Sequence, residues 1–154
     1  MIFATVGTQL PFPRLIAALN TLSFEEEVVA QTGPIDIPTT NITAFENLSP
    51  KDFEHYFTSA RVVIAHAGIG TILSAKRYQK PLILFPRRFE FAEHRNDHQL
   101  ATARQVEAVR GVYVAWTVAD IAPLLARTDL VAADENASPA RERLITRVSN
   151  FIAG

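Results

Sequence analysis

The segment from Arg61 to Phe85 does most to restrict the fold. The run from Arg61 to Ala65 is short and almost wholly apolar. It gives way to His66-Ala67-Gly68-Ile69-Gly70-Thr71, then to a stretch of helical character from about Ile69 to Gln79, then to a second apolar run, Leu82 to Phe85. Runs of this length without polar alternation belong to strands covered on both faces, so the pattern predicts a βαβ unit with parallel strands. A strand that ends in small residues and opens directly into a helix presents unpaired backbone N–H groups and the positive end of the helix dipole. Both attract phosphate.

The rest of the chain repeats the alternation. Ile2 to Val6 reads as a strand closing at Gly7-Thr8, and Leu15, Ile16, Leu19 and Leu22 give helical spacing to the stretch from Pro13 to Leu22. Pro11-Phe12-Pro13 serves either to clamp a ligand or, on the plainer reading, to set the approach to that helix. Glu27 to Gln31 and Asn41 to Phe45 read as further strands, with Pro34 and Pro38 marking an irregular connector. Ser49-Pro50 opens a helix running through about Phe57, with Ser49 as cap. Phe45, Phe53, Tyr56 and Phe57 read mainly as core. Helical character over 92 to 107, a strand from Gly111 to Trp116, and closing helices at 117–126 and 138–152, the latter opened by Ser138 and Pro139, complete the pattern. The expected architecture is α/β: a single Rossmann-like domain over residues 1–154, with a mostly parallel sheet flanked by helices and ligands at the carboxyl ends of the strands.

Charge excludes whole classes of partner. Fifteen Lys+Arg against 16 Asp+Glu leave a formal charge of -1, so no nucleic-acid partner is expected and recognition by charge must be local. There is no cysteine, which removes disulfides and thiolate metal sites and suits a reducing cytoplasm. The N-terminus lacks the basic and long apolar regions of a secretory signal, and no apolar stretch approaches the roughly 18 residues of a spanning helix.

Several residue groups carry chemistry. Gly68 and Gly70 serve either the close approach of a phosphate or a tight strand-to-helix turn, and both needs select glycine. The Gly7-Thr8-Gln9 loop falls at the same sheet edge and can converge on the same ligand. His66 stands just before the turn, as a charged partner for phosphate, a proton relay, or a side chain bonding its own loop. The richest polar cluster runs from Pro86 to Gln99 and includes Arg87, Arg88, His94, Asn96 and His98. Placed after a strand, it suits an anionic, hydroxyl-rich ligand. His94 and His98 stand at i, i+4, but without the H-E-x-x-H order or a third ligand, so no metal is expected.

As a set, these residues resemble one known group. Thr5-Val6-Gly7-Thr8-Gln9, Phe12-Pro13-Arg14-Leu15, Gln31-Thr32-Gly33, His66 to Thr71, Lys80-Pro81 and Glu93 to Gln99 resemble the C-terminal, donor-binding half of GT-B glycosyltransferases of family 28. The likeness is greatest to the short stand-alone members, among them the catalytic subunit of the eukaryotic dolichol-linked N-acetylglucosamine transferase and bacterial exopolysaccharide counterparts. It implies a UDP-sugar donor, with Gly68, Gly70 and Thr71 on its diphosphate, Gly7 and Thr8 nearby, and backbone around Phe45 on uracil. Gln99, Asn96 and His98 would meet the sugar. Ser74 occupies the position of a glutamate that often bonds ribose in this family.

The resemblance further implies an inverting displacement without a cofactor. His66, Arg88 and Glu93 are the candidate catalytic residues, His66 and Arg88 by stabilising charge on the departing UDP. The acceptor-binding half of a GT-B enzyme has no room in 154 residues. The implied partner is a membrane-anchored subunit that presents a lipid-linked glycan and holds this chain at the cytoplasmic face of the membrane. No residue of this chain stands out as the general base, which leaves the partner as one source for it, and homodimerisation of the isolated chain stays open.

Two rivals stand beside this reading. In a nucleotide-cofactor oxidoreductase, Gly68-x-Gly70 would be the dinucleotide turn and Arg87-Arg88 would take an NADP 2′-phosphate, although Leu73 stands where the third glycine belongs. In a silent activator of a partner transferase, the donor site would be dispensable.

Overall fold

The computed structural model describes residues 1–7, 10–22 and 25–133. The apolar runs form strands β1 (Ile2–Thr5), β2 (Val28–Gln31), β3 (Thr43–Phe45), β4 (Val62–Ala65), β5 (Leu82–Leu84) and β6 (Val112–Val114). Between and after them lie helices α1 (Pro13–Thr21), α2 (Pro50–Ser59), α3 (Ile69–Tyr78), α4 (His98–Val106) and α5 (Ile121–Ala126). The strands make one sheet in the order β3-β2-β1-β4-β5-β6, and every neighbouring pair is parallel. The chain winds outward from β1 in one direction and from β4 in the other, so the switch point lies between these two strands.

Strand alternation sorts side chains into two cores. Ile2, Ala4, Val28, Ala30, Val62, Ile64 and Ile83 face α1 and α5, meeting Leu15, Ile16, Leu19, Ile121 and Leu125. Phe3, Val29, Val63, Ala65, Leu82 and Leu84 turn the other way, onto Phe57 of α2, Ile72 and Ala75 of α3, and Ala103 and Val106 of α4. Cover on both faces is why the strands read as continuous apolar runs.

Helix termini follow their local chemistry. Ser49 Oγ accepts the Asp52 N–H at 3.1 Å, capping α2 behind Pro50. The cap of α3 is Gly68, which has no side chain to offer, so the first N–H groups of this helix lack a side-chain acceptor.

Residues 92 to 107 do not form one helix. Phe89–Phe91 is a short 3-10 turn, Ala92 takes a left-handed φ of 57°, and helix begins only at His98. The intervening loop is held by side chains: Asp97 accepts the Phe89 N–H at 2.9 Å and Asn96 accepts the His98 N–H at 3.0 Å. Likewise the segment expected as a helix over 117–126 starts as a 3-10 turn, Val118–Asp120, fixed by reciprocal capping between Thr117 and Asp120. The expected helix at 138–152 lies outside the described residues. Among the described residues no helix is long and apolar enough to cross a membrane.

Candidate functional site

Register brings the first and fourth strands' loops together. Thr5 lies opposite Ala65, and the His66 N–H bonds the Thr5 carbonyl at 3.4 Å. Gly7 and Gly68 therefore flank one edge of the His66 ring. A Cβ at Gly7 would stand 2.9 Å from Nε2, and one at Gly68 would stand 2.8 Å from Nε2 and Cε1. Gly7 also has φ of +79°, which other residues rarely adopt. Two glycines from separate loops thus make room for one imidazole, a reason neither of the alternatives read from sequence contains. Gly70 differs, because a Cβ there would meet nothing within 4 Å.

A cleft of about 380 Å³ opens beside this ring at the switch point. The start of α3 forms one wall through Gly68, Gly70, Thr71 and Ser74, and Leu48, Pro50 and Phe53 supply apolar lining. Thr5 and Gln31 also line it, tied by a 2.8 Å bond from the Thr5 hydroxyl to Gln31 Oε1. A second cleft, about 220 Å³, shares Gly7 and His66 and is completed by Val6, Leu10, Arg87, His94 and Gln99. A wider groove of about 780 Å³ shares Leu10 and His94 with it and adds Phe89, Ala92, Glu93 and Arg95.

His66 is the common wall, and its surroundings fix its state. Burial, with the nearby charge of Arg87 and then His94, pushes its pKa down to about 4, so the ring is neutral at physiological pH. Its Nδ1 lies 3.0 Å from Gln99 Nε2 and 3.5 Å from Arg87 Nε. Arg87 is 2% exposed, and burial pushes its pKa down to about 10 against the opposing charge of Glu93. It remains a cation, enclosed among carbonyls of Val6, Leu10, Pro11 and Glu93 and over the Phe12 ring. Burial, then the charges of Arg87, Arg95 and His98, also lowers the His94 pKa, while Asn96 acts in the opposite direction.

The structure gathers some expected residues and places others apart. Gly7, His66, Gly68, Gly70, Thr71 and Ser74 all line the larger cleft, and Gln99 lines the second. Thr8 lies outside the described residues. Phe45 does not line the larger cleft; its carbonyl accepts the Thr32 N–H at 2.8 Å, and Leu48 and Phe53 stand on the lining instead. Asn96 and His98 line neither cleft, being engaged in the loop and first turn of α4. Arg88 is held by the Trp116 carbonyl at 2.7 Å and by Glu90, and it too lines neither. Glu93 receives both Nε and Nη2 of Arg14 at 2.8 Å and the Arg88 N–H at 3.1 Å, and lines the wider groove but neither of the two clefts. With its guanidinium committed to carbonyls, Arg87 cannot take the 2′-phosphate that the oxidoreductase reading gave it.

Several lining residues are not singled out in the sequence as site residues. Leu10 and Leu48 carry no signal, Pro50 and Phe53 read as helix start and core, and His94 reads only as part of the polar cluster and as half of a metal pair. The last has a distinguishing mark, a buried Nδ1 without a hydrogen-bond partner. Among the described residues no group of three or more His, Cys, Asp or Glu is placed to hold a metal ion.

Comparison with known proteins gives the architecture its relatives. The glycosyltransferase family 28 C-terminal domain matches residues 1–149. The solution structure of ALG13 superposes with a TM-score of 0.62 at 23% identity, covering 94% of each chain. CalG4, the calicheamicin glycosyltransferase, gives 0.60 at 20% identity over 99% of this chain and 39% of its own. MurG of Acinetobacter baumannii gives 0.60 at 19% identity over 96% of this chain and 49% of its own. No curated protein sequence matches the chain. At these identities the structural likeness speaks for the fold, a GT-B half-domain, and this chain spans less than half of the larger glycosyltransferases. The match over residues 1–149 settles the kinship: the chain belongs to the family of the glycosyltransferase family 28 C-terminal domain.

Proposed function

We propose that this chain is the donor-binding subunit of an inverting, UDP-sugar-dependent glycosyltransferase. The observation that carries the reading is the larger cleft, which sets a free helix N-terminus, open space over Gly70, and an apolar lining within one concavity. The N–H groups of Ile69, Gly70 and Thr71 precede the first intrahelical bond and favour the diphosphate there. Leu48, Pro50 and Phe53 offer apolar surface to uracil, while the Ser74 hydroxyl is available to ribose. The sugar then enters the second cleft, toward Gln99 and His94. Asn96, His98, Arg88 and Glu93 support that cleft through the loop, and Phe45 supports the base side through the sheet.

The chemistry follows from charge. As the acceptor oxygen attacks the anomeric carbon from the face opposite the diphosphate, negative charge grows on the leaving UDP. Helix N–H dipoles and a neutral imidazole N–H meet that charge without reorganisation. The chain needs no resident cofactor in this scheme. The acceptor, a lipid-linked glycan of exopolysaccharide assembly, and the base that takes its proton come with a membrane-anchored partner, which holds this chain at the cytoplasmic face.

A single substitution tests the donor site. Gly70→Ala adds a methyl into open space and suits a helix better, so it raises stability by roughly 0.5–1 kcal/mol. The same methyl stands where the diphosphate approaches, so UDP affinity by calorimetric titration falls at least about tenfold. Unchanged UDP binding in Gly70→Ala removes the diphosphate from this turn. Tight binding of NADP instead of UDP would restore the oxidoreductase reading.

A further inference from the structure

Arg87 is the largest fully buried side chain of the described residues, and none of the ion pairs among them involves it. All five of its side-chain N–H groups are used: Nε toward His66 Nδ1, one Nη toward the Pro11 and Glu93 carbonyls, and the other toward the Val6 and Leu10 carbonyls. The Glu93 carboxylate, the nearest candidate, is already gripped by Arg14. A buried cation surrounded by neutral acceptors is an expensive way to gain stability, and an apolar side chain with the same volume would do better. Its geometry must accomplish something else.

The consequence appears at His66. Arginine cannot accept a hydrogen bond, so Nδ1 must receive the Arg87 Nε–H. Gln99 reaches the same nitrogen, and its orientation is fixed independently: Oε1 accepts the Ala67 N–H at 3.1 Å and the Arg87 backbone N–H at 3.0 Å. The amide Nε2 is left to face Nδ1 at 3.0 Å, as a donor. Two obligate donors on Nδ1 of a neutral ring leave the proton on Nε2, at the edge flanked by Gly7 and Gly68.

We propose that Arg87 is a positioning residue: by donating to Nδ1 and by orienting Gln99 through its backbone N–H, it locks His66 as the Nε2–H tautomer and aims that N–H at the ligand between the Gly7 and Gly68 loops. The ligand half of this statement rests on the donor-site reading above; the tautomer half does not. The same guanidinium holds the Val6, Leu10 and Pro11 carbonyls, so one side chain sets both the proton on His66 and the loop that faces it. Without the lock, the ring presents a lone pair to the diphosphate in a fraction of molecules, and a lone pair repels an anion.

The test uses the intact chain, labelled with ¹⁵N, without ligand. Long-range proton–nitrogen correlation at pH 7, with His66 assigned by comparison with His66→Gln, is expected to show Nε2 protonated and Nδ1 bare in a single tautomer. In Arg87→Met and in Gln99→Met the pattern is expected to become a tautomer mixture, and UDP affinity to fall about tenfold, the loss of one hydrogen bond to a charged group. Should Arg87→Met fail to fold, Gln99→Met keeps the question answerable, because Arg87 stays in place. A proton on Nδ1 in the native chain overturns the proposal, as do folded variants that retain both the single tautomer and the affinity. Failure of the native chain to bind UDP sinks the donor reading and the ligand half together, while the free-state spectrum still decides the lock.

Discussion

His66 shows how a residue's environment sets both its chemistry and a cost. Its pKa near 4 compares with 6.5 for a free imidazole. As pH falls from 6.5 to 4, the unfolded chain takes up a proton that the folded chain refuses, so stability falls by up to about 3 kcal/mol across that window and owes nothing to this group above it. Urea denaturation at pH 7 and pH 4.5 is expected to show a smaller loss in His66→Gln than in the native chain. An equal loss would place the acid sensitivity elsewhere. His94 predicts the opposite trade: its buried, unpartnered Nδ1 is a standing penalty, so His94→Phe is expected to raise the melting temperature while weakening sugar-nucleotide binding. The glycines and the histidine were legible as individual residues in the sequence. Their joint purpose was not, because only the β1–β4 register puts Gly7 and Gly68 against the same ring.

Among the elements, the tie between α1 and the loop before α4 matters most for the second cleft. Arg14 makes two 2.8 Å bonds to Glu93 and lies over the Phe85 and Phe91 rings at 4.3 and 4.7 Å. With Glu93 only 7% exposed, Glu93→Gln is expected to cost about 1–3 kcal/mol, and Arg14→Met on that background to add little, since the pair acts as one unit. A double-mutant cycle read by thermal denaturation checks the coupling, and additive losses would dissolve the tie. Most elements could be read in advance because β1, β2, β4 and β5 are buried throughout and Ser49-Pro50 marks its helix directly. The stretch from 92 to 97 could not. It reads as one helix with 98–107, but Ala92 at φ of 57° and the bonds from Arg14, Arg88 and Phe89 to Glu93 and Asp97 are long-range or conformational facts that periodicity does not encode.

At the scale of the molecule, the order β3-β2-β1-β4-β5-β6 opens the carboxyl edge of the sheet at the switch point, and the two clefts take up only part of it. The wide groove beside them carries Phe89, 60% exposed, and Leu10, 44% exposed, with Phe91 at 53% close by. Among the described residues lining this groove the one carboxylate is Glu93, and it is bound to Arg14. The larger glycosyltransferases that share this fold are more than twice as long as the portion this chain matches. Binding and transfer should therefore separate. The purified 154-residue chain is expected to bind UDP in the micromolar range, about -8 kcal/mol, and to hydrolyse or transfer the sugar only at background rate. If the proposed function holds, adding the partner that presents the acceptor is expected to raise transfer with little change in UDP affinity, since that proposal puts the donor contacts in this half and the attacking oxygen and its base in the other. Radiolabelled sugar transfer to a lipid acceptor, measured with and without that partner, decides the point: fast transfer by the chain alone would mean that the base lies within it, with His94 the first residue to replace.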